Sequence, residues 1–456
     1  MSKESRPPNL LVVHTDQQSC WTLSAYGGNE VHTPNVDRLA REGARFDQFF
    51  TNSPVCTPSR GCFVTGRYPH AHGAYRNSAE LHRDEVTWAS LLQRAGYATG
   101  YIGKWHLDGP GRTRGGWLRA ERSMGFADCR WMFENAHWKR MIEQPDGTVR
   151  TEKEVGDPSE RPDPSTYTTD FLTDKAIEFL EGHRAGPFCL MLSIPDPHMP
   201  WTVREPYASM YRAEDMRLPA SLCQEDVPAW QQAMQTWRDR SPPAEQQLVR
   251  EVKAQYCGEV KCIDDNVGRM LDRLDAWGIS EHTAVVFTSD HGELMGEHGL
   301  MAKNALYATD CRVPLIVRWP ERVRAGTVVS RVTSTVDFQP TLLSLLGVDP
   351  SGREQGADAS AFLLGGEVPW RDTAFVHHSS MEHLALFTPE HELVCGREGE
   401  HALYDRLTDS EQVHNRLRDP RMRDAVRDLF ALLVDHCRRV DAPELAWVQN
   451  RAGDWV

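Results

Sequence analysis

No stretch of this 456-residue chain approaches the roughly 18 consecutive apolar residues that a membrane-spanning helix needs. The apolar run near its start, Leu10 to Val13, is far shorter than the roughly 7 to 15 residues of a secretory core segment. No asparagine begins an N-x-Ser/Thr sequon, and the 11 cysteines are odd in number and scattered without a disulfide framework. Together these absences predict a cytoplasmic protein. Positive charge is also in deficit. With 51 Lys plus Arg against 65 Asp plus Glu, the net charge is −14, which excludes nucleic acid and anionic membranes as general partners. An anionic substrate would need a locally basic pocket. HExxH, G-x-S-x-G and paired CxxC motifs are missing, and the glycines of Gly109 to Gly116 lack a phosphate-loop lysine and serine. There is no internal repeat and no low-complexity tract.

What is present is globular: 40% apolar and 25% charged residues, on a chain about three times the length of an average domain. Asn9 to Thr15 reads as a buried strand, and Thr33-Pro34 opens a helix around Val36 to Glu42. The alternation returns with a helix near Thr87 to Ala95 and a strand near Ala98 to Trp105, then a helix near Thr169 to His183 and a strand at Phe188 to Ile194. A long helical pattern from Gln246 to Trp277 precedes the strands Thr283 to Thr288 and Val313 to Trp319, and a helix follows at Val336 to Leu346. Such a pattern predicts an α/β fold, a large mixed and mostly parallel sheet sandwiched by helices. After a connector, Asp349 to Trp370, the short strands Ala374 to His377, Leu384 to Phe387 and His391 to Cys395 and a helix near Arg421 to His436 predict a small C-terminal α+β subdomain. The expected division is 1–348 for the catalytic part and 349–456 for the subdomain packed on it. Asp108 to Tyr167, rich in Gly, Pro, Arg and Trp, reads as loops over one sheet edge. Its Trp117, Trp131 and Trp138, with Trp105 and Trp201, read either as packing anchors or as a stacking wall for a substrate.

In open α/β sheets, chemistry gathers beyond the carboxyl ends of the strands. Asp16 and Gln17 follow the first strand, Lys104 and His106 end the strand near residue 100, His198 follows Ile194, and Asp290 and His291 follow Thr288. Asp16, Gln17, Asp290 and His291 offer oxygens and one imidazole to a divalent cation. Such a set favours Ca²⁺ or Mg²⁺, and the imidazole draws it towards Mn²⁺.

The segment Cys56-Thr57-Pro58-Ser59-Arg60, continued by Gly61-Cys62-Phe63-Val64-Thr65-Gly66, resembles in full the type I sulfatase signature C-x-P-S-R-x(4)-T-G, within the alkaline phosphatase superfamily. Gly103-Lys104-Trp105-His106-Leu107, Asp196-Pro197-His198-Met199-Pro200, and Lys303 after Asp290-His291 are similar to further segments of that family, and the likeness covers roughly residues 9 to 440. Where the family usually continues with glycine, this chain has Asp108, which places an acidic group by the pocket. Where many members have an acid, it has Gln17.

The resemblance implies a sulfatase that hydrolyses an organic or carbohydrate sulfate monoester. Cys56 would be oxidised to formylglycine by a maturation enzyme, and the hydrated aldehyde would join Asp16, Gln17, Asp290 and His291 around one divalent cation, Ca²⁺ in the first instance and Mn²⁺ or Mg²⁺ otherwise. Arg60, Lys104 and Lys303 would hold the sulfate oxygens or the aldehyde hydrate. His198 would protonate the leaving alcohol, and His106 would take the proton of the second hydroxyl of residue 56 so that sulfate is expelled. A phosphonate monoester or phosphodiester hydrolase of the same superfamily is the competing reading, against which stands the complete Lys104-Trp105-His106 segment. An inactive protein that binds sulfated ligands is the other. The partners expected are a small sulfate ester and the maturation enzyme; the oligomeric state and the identity of the alcohol are left open.

Overall fold

Seven buried residues form strand β1 (Asn9–Thr15), and their side chains alternate between two cores: Leu10 and Val12 join one, Leu11 and Val13 the other. A strand buried on both faces has to lie inside a sheet with cover on each side. The computed structural model describes residues 6–109, 117, 122–153, 161–224, 227–232 and 242–455. In it, β1 sits within an eight-stranded sheet. The other strands are β2 (Ala44–Phe46), β3 (Ala98–Lys104), β4 (Asp128–Phe133), β5 (Phe188–Ile194), β6 (Thr283–Ser289), β7 (Leu315–Arg318) and β8 (Thr327–Val329). Their order is β8-β2-β7-β6-β1-β5-β3-β4, and only β7 runs against its neighbours.

Helices cover both faces. One core takes Phe63 and Val64 of α2 (Cys56–Thr65), Trp88 and Leu92 of α3 (Trp88–Arg94), and Phe338 and Leu342 of α6 (Phe338–Leu346). The opposite core takes Val36 and Leu39 of α1 (Pro34–Glu42), Leu172 and Leu180 of α4 (Thr168–His183), and Ile263 and Leu271 of α5 (Pro242–Ala276). Local chemistry sets the helix ends: Pro34 occupies the first turn of α1, and the Thr87 side chain accepts the Ser90 amide at the start of α3. No described helix is long and apolar enough to cross a membrane.

The C-terminal part is an antiparallel sheet in the order β9 (Ala374–His377), β10 (His383–Phe387), β11 (His391–Gly396) and β12 (His401–Asp405), backed by α7 (Arg423–Arg439). Leu386, Leu393 and Leu403 of this sheet meet Leu429 and Leu433 of α7 in one core, and Cys62 and Tyr68 from beside α2 enter the same core. The subdomain therefore packs directly on the helix that carries Cys56.

One sequence expectation is corrected here. Asp108 to Tyr167 is not simply loop: it supplies β4, the edge strand of the large sheet, and a hairpin of Arg140–Glu143 with Val149–Glu152. A break in register between Gly100 and Ile102 of β3 opposite β4 disrupts the alternation, which is why the strand pattern is hard to read locally. Residues 110–116, 118–121 and 154–160 of that stretch lie outside the described residues.

Candidate active site

Four neighbouring parallel strands, β6, β1, β5 and β3, end on the same side of the sheet, so the residues that follow them share one edge. Asp290 follows β6, Asp16 follows β1, the turn with His198 follows β5, and Lys104 ends β3. Gly103 lets β3 close on β5: its φ is +107°, and a Cβ there would lie 1.8 Å from the Ser193 carbonyl oxygen.

The segment from Cys56 to Gly66 is α2 with its C-cap, and nearly every polar residue in it is committed. Cys56 is the first residue of the helix, and Gly66 ends it in the left-handed conformation. The Thr57 hydroxyl donates to the His106 carbonyl at 2.9 Å, Ser59 to the Asp290 carbonyl at 2.5 Å, and Thr65 back to Gly61 at 2.7 Å. Arg60 is only 2% exposed, so its charge has to be paired. Nε donates to Asp290 Oδ2 at 2.9 Å, one terminal nitrogen to Asp16 Oδ2 at 3.2 Å, and the other to the Lys104 carbonyl and the Ser193 hydroxyl, both at 2.8 Å. Four of the five N–H groups are thus engaged, and two of these bonds set the Asp16 and Asp290 carboxylates.

Asp16, Cys56, Asp290 and His291 offer ligand atoms that all lie within 4.8 Å of one another. Cys56 Sγ is 3.2 Å from His291 Nε2 and 3.7 Å from Asp16 Oδ1. Lys303 Nζ donates to Cys56 Sγ at 2.9 Å and to Gln17 Oε1 at 2.7 Å, and the Gln17 amide nitrogen donates to Glu293. Lys104 Nζ bonds Asp16 Oδ2 and reaches His137 Nε2 at 2.8 Å. His106 is held beside the start of α2 by the Thr57 hydroxyl on its carbonyl, and its ring Nδ1 is buried without a hydrogen-bond partner. His198 lies with His137 and Asp16 in a second group whose ligand atoms fall within 4.8 Å. Its Nδ1 donates to the Met199 carbonyl at 2.7 Å, and its ring stacks on His137 at 3.7 Å. All ten residues singled out from sequence are thus brought to one largely buried locus.

The electrostatics are concentrated. Burial and the Asp16 charge push the Cys56 thiol up, but Lys104, Lys303 and His291 outweigh them and hold it well below the ordinary thiol range. Burial and Asp16 likewise work against Asp290, yet His291, Arg60 and His14 bring it down to about 2. Burial lowers His198 and the Lys303 charge lowers it further, against the pull of Asp16.

Three participants carry no motif signal: His137 in the stretch read as loop, Ser193 inside a strand, and Glu293, whose position two residues after His291 was the available clue. One expectation fails, and one open choice closes. Asp108 is buried and paired with Arg122, with its amide bonded to Glu134 at 3.0 Å, so it is no bare charge at the pocket. The tryptophans are packing anchors: Trp105 packs edge-on against Tyr101 and Phe126, Trp138 against Phe133 and Trp117, Trp131 against Phe171, and Trp201 joins the cluster of Tyr256.

The residues suit a divalent cation. Two carboxylates, an amide oxygen and an imidazole converge, and Asp16 Oδ1 faces Cys56 and His291 while its Oδ2 takes Arg60 and Lys104. Residues 8–348 match the Sulfatase family, and residues 296–439 match the C-terminal region of N-sulphoglucosamine sulphohydrolase. The chain is 28% identical over 488 residues to an N-acetylglucosamine-6-O-sulfatase of Bacteroides thetaiotaomicron, covering 91% of this chain and 83% of that one. It is 30% identical over 455 residues to the uncharacterized sulfatase YidJ of Escherichia coli, covering 96% and 88%. A solved structure in complex with its substrate D-glucosamine-2-N,6-O-disulfate superposes with a TM-score of 0.80 at 26% identity, covering 96% of this chain and 99% of that one.

Proposed function

The chain belongs to the sulfatase family and is a hydrolase of sulfate esters, and we infer that its substrate is a sulfate monoester of a sugar or small organic alcohol, attacked by formylglycine made from Cys56. The observation that carries this reading is the position of Cys56, at the start of α2 between Lys303 and the group formed by Asp16, Asp290 and His291. A sugar is favoured because two of the similar proteins, the N-acetylglucosamine-6-O-sulfatase and the one solved with D-glucosamine-2-N,6-O-disulfate, take sulfated glucosamines.

Asp16, Gln17, Asp290 and His291 would hold a divalent cation, which would lower the pKa of a hydroxyl on residue 56 in its hydrated-aldehyde form so that it is nucleophilic near neutral pH. The oxygen-rich donor set favours Ca²⁺ over Mg²⁺ and Mn²⁺. Lys303, already at residue 56, and Lys104, beside Asp16, present positive charge fixed in place before a sulfate dianion develops. Arg60 keeps both carboxylates in position. His106, held next to residue 56 by the Thr57 hydroxyl on its carbonyl, is placed to take its proton, and His198, grouped with Asp16 and His137, to give one to the leaving oxygen. Because His198 Nδ1 is occupied by the Met199 carbonyl, the proton has to pass at Nε2.

All eleven cysteines are free, which supports a reducing, cytoplasmic setting for the mature enzyme and a dedicated maturation enzyme acting on Cys56 alone. The division into 1–348 and 349–456 is also proposed, on the change from a mostly parallel to an antiparallel sheet.

The test is the mass of the peptide containing residue 56, which is about 18 Da lighter once the thiol becomes an aldehyde. It is paired with kinetics on glucosamine 6-sulfate, choline sulfate, an aryl sulfate and an aryl phosphonate, with Cys56→Ala as the blank. A higher kcat/KM on the phosphonate overturns the reading in favour of phosphonate hydrolysis. An unmodified Cys56 in protein coexpressed with a maturation enzyme favours a sulfated-ligand-binding protein.

A further inference from the structure

Away from the catalytic group, where α2 meets the C-terminal subdomain, His70, His377 and Glu444 offer ligand atoms that lie within 4.8 Å of one another. They come from three separate parts of the chain: the short helix Pro69–His72 just after the signature, strand β9, and the residue before the helix Leu445–Ala452. His70 Nε2 donates to the Val440 carbonyl at 2.9 Å, which leaves Nδ1 as a bare lone pair, buried and without a hydrogen-bond partner. Glu444 is 1% exposed; its Oε1 meets His377 Nδ1 at 2.9 Å, and its Oε2 is buried without a partner. Two of the residues of this cluster therefore carry an unsatisfied buried acceptor, and buried acceptors with no donor are costly.

We propose that His70, His377 and Glu444 form a second metal site, for Zn²⁺, that fastens the C-terminal subdomain to the turn after the signature helix. Imidazole and carboxylate ligands in this ratio suit zinc, bound at about 2.0–2.1 Å with a fourth position open to water. Tetrahedral ligand atoms at that distance lie roughly 3.4 Å apart, so the cluster closes on the ion by shifts of about 1 Å or less. At His377 the metal replaces the proton on Nδ1, and the ring carries its proton on Nε2. There His436 Nε2, 3.3 Å away, receives it as the outer hydrogen bond that zinc-bound imidazoles make, once His436 moves its own proton from Nε2 to Nδ1 and gives up the Arg439 donor that Nδ1 accepts in the metal-free network. This site differs in kind from the oxygen-rich catalytic group, where Ca²⁺ is favoured.

The experiment uses the full chain, stripped with chelator, saturated with Ca²⁺ to fill the catalytic group, and then titrated with Co²⁺ or Zn²⁺. The expected result is uptake of about one ion per chain, with the intense visible absorption of tetrahedral Co²⁺ and a rise in Tm on adding Zn²⁺. Both signals are expected to disappear in His70→Gln and in Glu444→Gln. Retention of uptake by either variant, or no visible band in the wild type, overturns the proposal. Diffraction from Zn²⁺-soaked wild-type crystals at the zinc edge decides it without any variant. An anomalous peak between His70 and Glu444 supports the site, and its absence there refutes it. None of these readouts depends on sulfatase turnover, so loss of the sulfate-ester reading and loss of this one are separate outcomes.

Discussion

Lys303 Nζ lies 2.9 Å from Cys56 Sγ, although the two residues are 247 positions apart in the chain. The lysine is half-buried, and the charges of Cys56, Asp16 and Asp290 hold its ammonium above its usual range against the cost of desolvation. A cation fixed at the reacting atom before reaction is the kind of group whose removal costs about 10²–10³ in rate. Lys303→Met is accordingly expected to lower kcat/KM on an aryl sulfate by about 10²–10³. An unchanged kcat/KM would remove Lys303 from the chemistry.

Arg60 is the buried counterion of two acids. Substituting it with methionine leaves Asp16 and Asp290 without that partner, and breaking a buried pair costs about 3–5 kcal/mol. In chelated protein the Arg60→Met variant is expected to unfold at a clearly lower urea concentration. Added Ca²⁺ should recover part of the loss, because the cation neutralises the same carboxylates. Equal midpoints with and without Ca²⁺ would argue that these acids do not bind it.

His198 is expected to matter in proportion to the need of the leaving group for a proton. His198→Asn should lower kcat strongly on an alkyl or sugar sulfate and much less on 4-nitrophenyl sulfate, whose phenolate leaves unaided. Equal losses on both substrates would assign His198 to binding rather than to proton transfer.

His72 gives a pH prediction for stability. Its Nδ1 accepts the Ala74 amide at 3.1 Å, and burial, with the charges of His70 and Arg67, lowers its pKa from 6.5 to about 3. Because the folded value is the depressed one, the unfolded chain binds the extra proton as pH falls below 6.5, and stability is lost between there and about pH 3. At about pH 5 this amounts to about 2 kcal/mol relative to about pH 7.5. His72→Asn keeps an acceptor for Ala74 without the titration, so its stability should fall less over that interval in urea denaturation. Parallel pH profiles for the two proteins would show that His72 is protonated while folded.

Much of this architecture is local and was readable. Asn9–Thr15, Phe188–Ile194 and Ala374–His377 fall where their apolar runs end, because strands covered on both faces have to be continuously apolar. The helices Pro34–Glu42 and Thr168–His183 begin within about two residues of their expected starts, since proline and polar caps act over a single turn. The short strands Ala44–Phe46 and Thr327–Val329 escaped notice because three residues carry no period. Asp128–Phe133 escaped because it is an irregular edge strand in a stretch rich in glycine and arginine.

The sequence by itself determined which residues are proposed to carry the chemistry: the Cys56 to Gly66 segment, the acids and histidine at two strand ends, and Lys104, His106, His198 and Lys303. Tertiary structure alone decided how they are used. It turned Arg60 towards Asp16 and Asp290, placed His137 against Lys104 and His198, paired Asp108 with Arg122, and packed the tryptophans into the core. The reason is physical. A buried charge takes whichever partner the strand order brings within reach, and that order joins residues more than 200 positions apart for which no local pattern exists.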